Sequence, residues 1–218
     1  MSRTVRAFSL LELVVVIAII GMIAAFVVPA FSSLVNGPTM NQASAMLANE
    51  LNSARQYAMT KNRSVEVRFL RYLDPEVPGE GPGSKIPPQF RAIQLLEVLE
   101  GGTPVPLGKV EPLPQSTILC AGERSSVLDP ASASSQMART PNAATDIGLP
   151  RGIDRNYDFV SFRYLPDGST TLAANHNWFV TVLAAKDQGT EAKLPSNFFI
   201  LQIDPVSGTT RGFRPGLK

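Results

Sequence analysis

The feature that most constrains this chain is an apolar run near its start. From Leu13 to Phe31 the sequence has nineteen consecutive residues without a charge. As a helix, a run of this length would extend roughly 28 Å, close to the hydrocarbon thickness of a bilayer. Because Arg3 and Arg6 precede it, the positive-inside rule predicts a cytoplasmic N-terminus. The sequence therefore predicts a single-pass helix over residues 8–31, with the rest of the chain on the far side of the membrane.

Glu12 is the anomaly of this segment, since it puts a carboxylate at the head of the apolar run. A carboxylate deep in lipid costs about 2.5 kcal/mol or more, so it needs a partner or an interfacial position. Two alternatives are a secretory signal peptide cleaved near Val28-Pro29-Ala30 and an uncleaved signal anchor. The length of the run and the position of Glu12 disfavour ordinary signal cleavage.

The residues Arg6-Ala7-Phe8-Ser9-Leu10-Leu11-Glu12-Leu13 resemble the class III signal of type IV pilins and type II secretion pseudopilins. The resemblance implies that a prepilin peptidase removes residues 1–7 by cutting between Ala7 and Phe8, and that the new amine of Phe8 is methylated. It also implies that Pro29 bends the helix. Ala7 stands where this family usually has Gly, which implies slower processing.

Glu12 matches the carboxylate that these families retain, and its chemistry suggests why. In a filament of packed helices, the α-amine of Phe8 on a neighbouring subunit would neutralise Glu12. One buried polar contact can fix the axial register of packed helices. The alternative is that Glu12 reaches the lipid headgroups.

Residues 32–218 are predicted to form one globular domain that begins with a helix. The helix is expected to bend, unwind or restart at Gly37-Pro38, because proline lacks the N–H of a helical residue. Apolar residues then recur at helical spacing, which predicts an amphipathic helix over 39–62. Residues 63–218 are β-rich, with a Pro/Gly-rich surface loop at 74–88 and an extended or mobile insertion at 122–152. Strands are predicted over 65–69, 91–99, 105–110, 116–120, 157–164, 170–173, 178–184, 197–204 and 209–213.

Three further stretches are similar to the minor pseudopilin H/FimT group. They are Leu51–Ala58 with the Val-Glu-Val strand after it, Phe162–Ser169 and Ile203–Gly208. The likeness implies an α+β fold in which a long N-terminal helix packs on an antiparallel β-sandwich of two sheets. The chain also resembles the prepilin-like cassette protein D family. The loops at 74–88 and 122–152 depart from the group.

No catalytic site, metal site or cofactor motif is predicted. His176 is the one histidine and is expected in an exposed loop; Cys120 is the one cysteine and is expected to be a small buried apolar residue. The net charge of +2 argues against bulk electrostatic binding of nucleic acid. Arg211, Arg214 and Lys218 nevertheless form a small basic tail that could contact phosphates.

Two functions remain open. The first is a structural, non-enzymatic subunit of a type IV pilus or type II secretion-like filament. It would enter the inner membrane with its globular domain periplasmic, and then join a filament with other pilins or pseudopilins. The second is a binding module on the same scaffold, either a FimT-like DNA-binding minor pilin or a plain membrane-anchored periplasmic domain.

Overall fold

The computed structural model describes residues 10–77, 79–81, 83–129, 136–138, 157–187, 195 and 197–214. Only the backbone is described for residues 24–38 and 136–138. The chain divides into two compact units, residues 1–38 and 39–218. The predicted leader, with Ala7 and the following Phe8, lies outside the described residues.

A single α-helix, α1 (Leu10–Lys61), spans the start of the chain. In the second unit it is amphipathic, and residues spaced by three and four form a fully buried stripe: Met40, Ala43, Leu47, Leu51, Ala54 and Ala58. The helix was predicted to end at Asn62, which instead adopts a left-handed conformation with φ of 54°. Asparagine tolerates this conformation, and Arg63 N–H closes the last turn by bonding to Ala58 O at 3.2 Å.

The helix was predicted to bend, unwind or restart at Gly37-Pro38. The backbone is helical through both residues, so the helix neither unwinds nor restarts there. Proline's fixed φ is compatible with a helix, and its main penalties are one missing hydrogen bond and a clash with the preceding turn. The helix-breaking tendency of glycine and proline therefore led to an overestimate of how far this pair interrupts the helix.

Ten strands are described, and all their pairings are antiparallel. The strands are β1 (Val65–Tyr72), β2 (Gln89–Val98), β3 (Pro104–Pro106), β4 (Glu111–Pro112), β5 (Thr117–Leu119), β6 (Gln136–Ala138), β7 (Tyr157–Tyr164), β8 (Trp178–Ala184), β9 (Phe199–Ile203) and β10 (Thr210–Phe213). The predicted α+β class is confirmed.

The strands form two blocks that short β5 joins. The order is β10-β9-β8-β5-β2-β1-β7-β6, with β3 and β4 also paired to β2. The β5 strand pairs along its length with β8 but meets β2 only at Phe90↔Leu119. The resemblance implied two sheets, whereas the hydrogen bonding of the described strands is continuous through β5 and forms one ten-stranded sheet. Both blocks contribute to one core with the buried stripe of α1.

Strand β1 shows how this core is built. Val65, Val67 and Phe69 alternate into the core with α1. The intervening Glu66 and Arg68 were predicted on the open side of a half-buried strand, but they are only 4% and 8% exposed. Burial is tolerated because Arg68 Nε donates to Glu66 Oε1 at 2.6 Å, and the Arg68 guanidinium lies 4.3 Å from the centre of the Phe159 ring.

The two predicted loops are more structured than expected. Glu80, inside the 74–88 loop, is buried and forms an ion pair with Arg91 of β2. The predicted insertion begins with two short 3-10 turns, and Val127 and Leu128 in the second turn are core residues. Its Gln136–Ala138 pairs with β7 as β6. The remainder of 122–152 lies outside the described residues.

Candidate functional site

The described N-terminal part of α1 presents an exposed apolar surface. From Leu10 to Ile23 its large apolar side chains are between 43% and 80% exposed. Such a surface is uncommon on a monomeric soluble protein and indicates an interaction site. Across the described residues, no helix meets both the length and the apolarity that a membrane crossing requires.

Glu12 lies in the first turn of α1, and its side chain is exposed. A helix N-terminus carries a partial positive charge, so a carboxylate is electrostatically favourable there. Phe8, the predicted partner residue, lies outside the described residues. Pro29 is within the helix, where only the backbone is described.

Of the predicted basic tail, the described structure contains Arg211 and Arg214, both exposed. Arg214 donates to the side-chain oxygens of Asn41 at 2.7 Å and Asn197 at 3.1 Å, which hold it against the domain. Arg211 is exposed on β10, near Asp204. Lys218 lies outside the described residues.

Asp204 weakens the attraction that the positive charge of Arg211 would exert on an anion. The pKa of Asp204 is lowered, chiefly by the backbone N–H of Val206 and to a smaller extent by Arg211. The carboxylate is therefore charged at neutral pH and offsets the positive charge of Arg211. Both residues line a polar cleft of about 270 Å³.

His176 lines the same cleft and is exposed, as predicted. Its ring meets Trp178 edge to face, with 4.7 Å between the ring centres. No group of three or more His, Cys, Asp or Glu side chains with metal-binding geometry occurs among the described residues.

Cys120 is half-buried rather than fully buried as predicted. Burial raises the pKa of its thiol, and the nearby Arg124 opposes this shift. A raised pKa leaves little reactive thiolate at neutral pH. The thiol has the properties of a structural residue rather than a nucleophile.

Arg55 is a structural residue whose role the sequence analysis missed. From α1 its Nε donates to Ser207 O at 2.8 Å and to Gly168 O at 3.3 Å. These acceptors belong to two turns, 165–169 and 204–208, that are far apart in sequence. Arg55 thus joins the three stretches that resembled the minor pseudopilin H/FimT group.

Each of these turns is also stabilised by its own aspartate. Asp167 accepts hydrogen bonds from the N–H of Ser169 at 2.9 Å and from its hydroxyl at 2.6 Å. Asp204 accepts from Val206 N–H at 3.0 Å. We name Arg55, Gly168 and Ser207, with the two turns they connect, the arginine clamp.

Comparison with known proteins addresses the N-terminal segment most directly. The family described as the prokaryotic N-terminal methylation motif matches residues 2–28. Its N-terminal segment is thus similar to that of prepilin-type proteins, the type IV pilins and pseudopilins. The motif implies processing by a prepilin peptidase and assembly with other pilins or pseudopilins. Proteins of this type are structural subunits, anchored in the membrane through the N-terminal helix.

Among solved structures, the chain is similar to the minor pseudopilin EpsH from the type 2 secretion system of Vibrio cholerae. The two share 9% sequence identity with a TM-score of 0.42, over 82% of this chain and 98% of that one. No curated protein matches the chain at a significant level.

Proposed function

We propose that this prepilin-type protein is a minor, non-enzymatic subunit of a type IV pilus or type II secretion-like filament. It is cut between Ala7 and Phe8, methylated on Phe8, and held in the inner membrane with its globular domain in the periplasm. The observation that carries the proposal is the methylation motif at residues 2–28. The minor pseudopilin H/FimT group is the subfamily that its sequence stretches favour.

The exposed apolar side chains between Leu10 and Ile23 support this role. They stay unfavourably hydrated unless lipid or neighbouring helices cover them. A subunit that is stored in the bilayer and then packed into a filament meets both kinds of apolar surroundings. The same surface serves in both states, because it needs only apolar contact.

Glu12 supplies the specific contact in this mechanism. In a filament, the methylated amine of Phe8 on the neighbouring subunit pairs with the Glu12 carboxylate. Breaking a buried ion pair by removing one partner costs about 3–5 kcal/mol, since the other charge stays buried. Such a penalty would exclude a subunit that is out of register.

The test is incorporation into filaments in the native host. Glu12→Ala is compared with Glu100→Gln, which removes an exposed carboxylate from the turn after β2. We expect both variants to be processed normally, and the Glu12→Ala subunit to be depleted at least tenfold from sheared filaments. Wild-type incorporation of Glu12→Ala would overturn the Glu12 mechanism. If wild-type protein is absent from every filament fraction, the proposed function is wrong.

A DNA-binding role is the second proposal, and exposed Arg211 is the observation that favours it. Its basis is small, because Asp204 offsets this charge and amide groups hold Arg214. A titration with duplex DNA would compare wild type with an Arg211→Ala/Arg214→Ala double variant. Salt-dependent binding that the double variant loses would establish this role, and equal binding would exclude these arginines.

A further inference from the structure

A cavity of about 480 Å³ lies between the start of the 74–88 loop and the segment leading into β5. Its lining is mainly apolar, with Tyr72, Val77 and Leu113 among the contributing residues. The volume falls in the range of small-ligand and peptide side-chain pockets.

Hydrogen bonds and an ion pair hold the walls of this cavity. On one side, buried Glu80 accepts from Asp74 N–H at 3.1 Å and forms an ion pair with Arg91. On the other side, Thr117 N–H bonds to Pro114 O at 3.2 Å. These contacts hold most of the cavity wall in place before a ligand binds, which lowers the ordering cost of binding.

Arg91 contributes a donor that lacks an acceptor. The residue lines the cavity and is 6% exposed, and its Nε has no hydrogen-bond partner within the described structure. Leaving a buried N–H unpaired is unfavourable, so an acceptor oxygen from a ligand would be stabilised there once a local movement of the wall exposes Nε, which is fully buried in the structure. Since Glu80 already balances the charge of Arg91, a neutral carbonyl oxygen is sufficient.

Two carboxylates at the cavity favour a cationic group in the ligand. Asp74 and Glu76 also line the cavity, with Glu76 exposed and Asp74 partly exposed. Among the described lining residues, Arg91 is the one basic side chain, and Glu80 neutralises its charge. The local charge is thus negative, which favours a cation and disfavours an anionic ligand.

We propose that this cavity binds a segment of a partner protein that carries an apolar residue beside a lysine or arginine. A backbone carbonyl of the segment accepts from Arg91 Nε, and the apolar side chain packs against Tyr72 and Leu113. The cationic side chain pairs with Asp74 or Glu76. This inference does not depend on the filament role, so either proposal can fail without the other.

The test measures peptide binding to the full-length protein in detergent by fluorescence polarisation. The probe is a labelled hexapeptide of leucine, proline and lysine, with blocked ends; its control has glutamate in place of lysine. We expect the lysine peptide to bind more tightly by at least tenfold and to weaken as salt is raised. Equal affinity of the two peptides, or no binding of the lysine peptide at millimolar concentration, would overturn the proposal.

Variants then locate the binding. The Asp74→Asn/Glu76→Gln double variant should weaken the lysine peptide about fivefold, as expected for losing a partly exposed ion pair whichever carboxylate forms it. Val77→Trp should weaken it by filling the cavity, and Glu100→Gln is the control that removes a distant exposed carboxylate. An unchanged far-UV circular dichroism spectrum verifies that each variant is folded, since Val77→Trp adds a second tryptophan to Trp178. Wild-type affinity in the double variant or in Val77→Trp would refute the assigned site.

Discussion

Replacing Gly208 with alanine tests the arginine clamp most sharply. Gly208 has a φ of +65°, and a Cβ added there would lie 2.0 Å from Gly168 O and 3.2 Å from Arg55 Cδ. The first distance is far below van der Waals contact and involves a backbone atom, so one turn must move away from the other. That movement separates Arg55 from its two carbonyl acceptors.

The magnitude follows from these contacts. A left-handed alanine costs about 1–2 kcal/mol, and overpacking a fixed site costs about 1–3 kcal/mol. Weakening the charged hydrogen bonds of Arg55 adds about 1 kcal/mol. We therefore expect Gly208→Ala to lower the free energy of unfolding by about 4 kcal/mol, a large part of the stability of an ordinary domain.

Gly101→Ala is the matched control. Gly101 also has a positive φ, of +100°, but a Cβ there has no atom within 4 Å. It should cost only the conformational term, about 1–2 kcal/mol. Urea unfolding in mild detergent can follow the single tryptophan, Trp178, which is 2% exposed. If the two variants unfold at the same urea concentration, the close approach of the two turns is wrong.

Three further predictions concern charge and processing. Burial, and to a smaller extent the charge of Glu111, raises the pKa of the Glu50 carboxyl. The folded state therefore binds more protons than the unfolded state, and the free energy of unfolding falls as pH rises through the raised pKa. Glu50→Gln should thus increase the free energy of unfolding at pH 7 by about 0.5 kcal/mol and flatten its pH dependence above pH 4.5, and an unchanged urea profile would refute this. Arg91→Met should destabilise by about 3 kcal/mol because Glu80 stays buried without its partner, whereas adding Glu80→Leu should restore most of the loss; equal urea midpoints for the single and double variants would contradict the pairing. Ala7→Gly should accelerate removal of the leader in a pulse-chase experiment, and unchanged kinetics would show that residue 7 does not limit processing.

Local periodicity predicted the regular elements of the fold well. The strands at Tyr157–Tyr164 and Trp178–Ala184 have their predicted bounds. The first alternates buried and less buried side chains, and the second is a nearly continuous apolar run. Both patterns are local signals. The buried stripe of α1 was predicted from its three- and four-residue spacing.

The features of the fold that were predicted wrongly depend on contacts between residues far apart in sequence. Residues 170–173 were predicted to form the hairpin partner of 157–164. The structure has the Tyr164↔Thr170 bridge and the bond from Thr171 N–H to Arg163 O, but no named strand, and Thr170 N–H bonds instead to Pro205 O. The burial of Glu66 likewise depends on distant residues, since Arg163 pairs with it at 3.1 Å. Alternation along a strand predicts which side a residue faces, but it does not predict which segment covers that side.

The candidate sites likewise divide into one contiguous motif, which the sequence reveals, and two sites built from residues far apart in sequence. The methylation motif is contiguous, so residues 2–28 could be recognised directly. The arginine clamp joins Arg55 to residues 113 and 152 positions later, and its parts were visible only as separate stretches. The cavity beside Arg91 arises from a loop that composition alone marked as an exposed surface segment.

The most direct test of the central claim is the intact mass and N-terminal sequence of the membrane-extracted protein, produced with and without a prepilin peptidase. With the peptidase, the chain should begin at Phe8 and carry one additional methyl group; without it, the chain should begin at Met1. A chain that begins at Met1 in both samples, or near Ala30 in either, would contradict the assignment as a processed filament subunit.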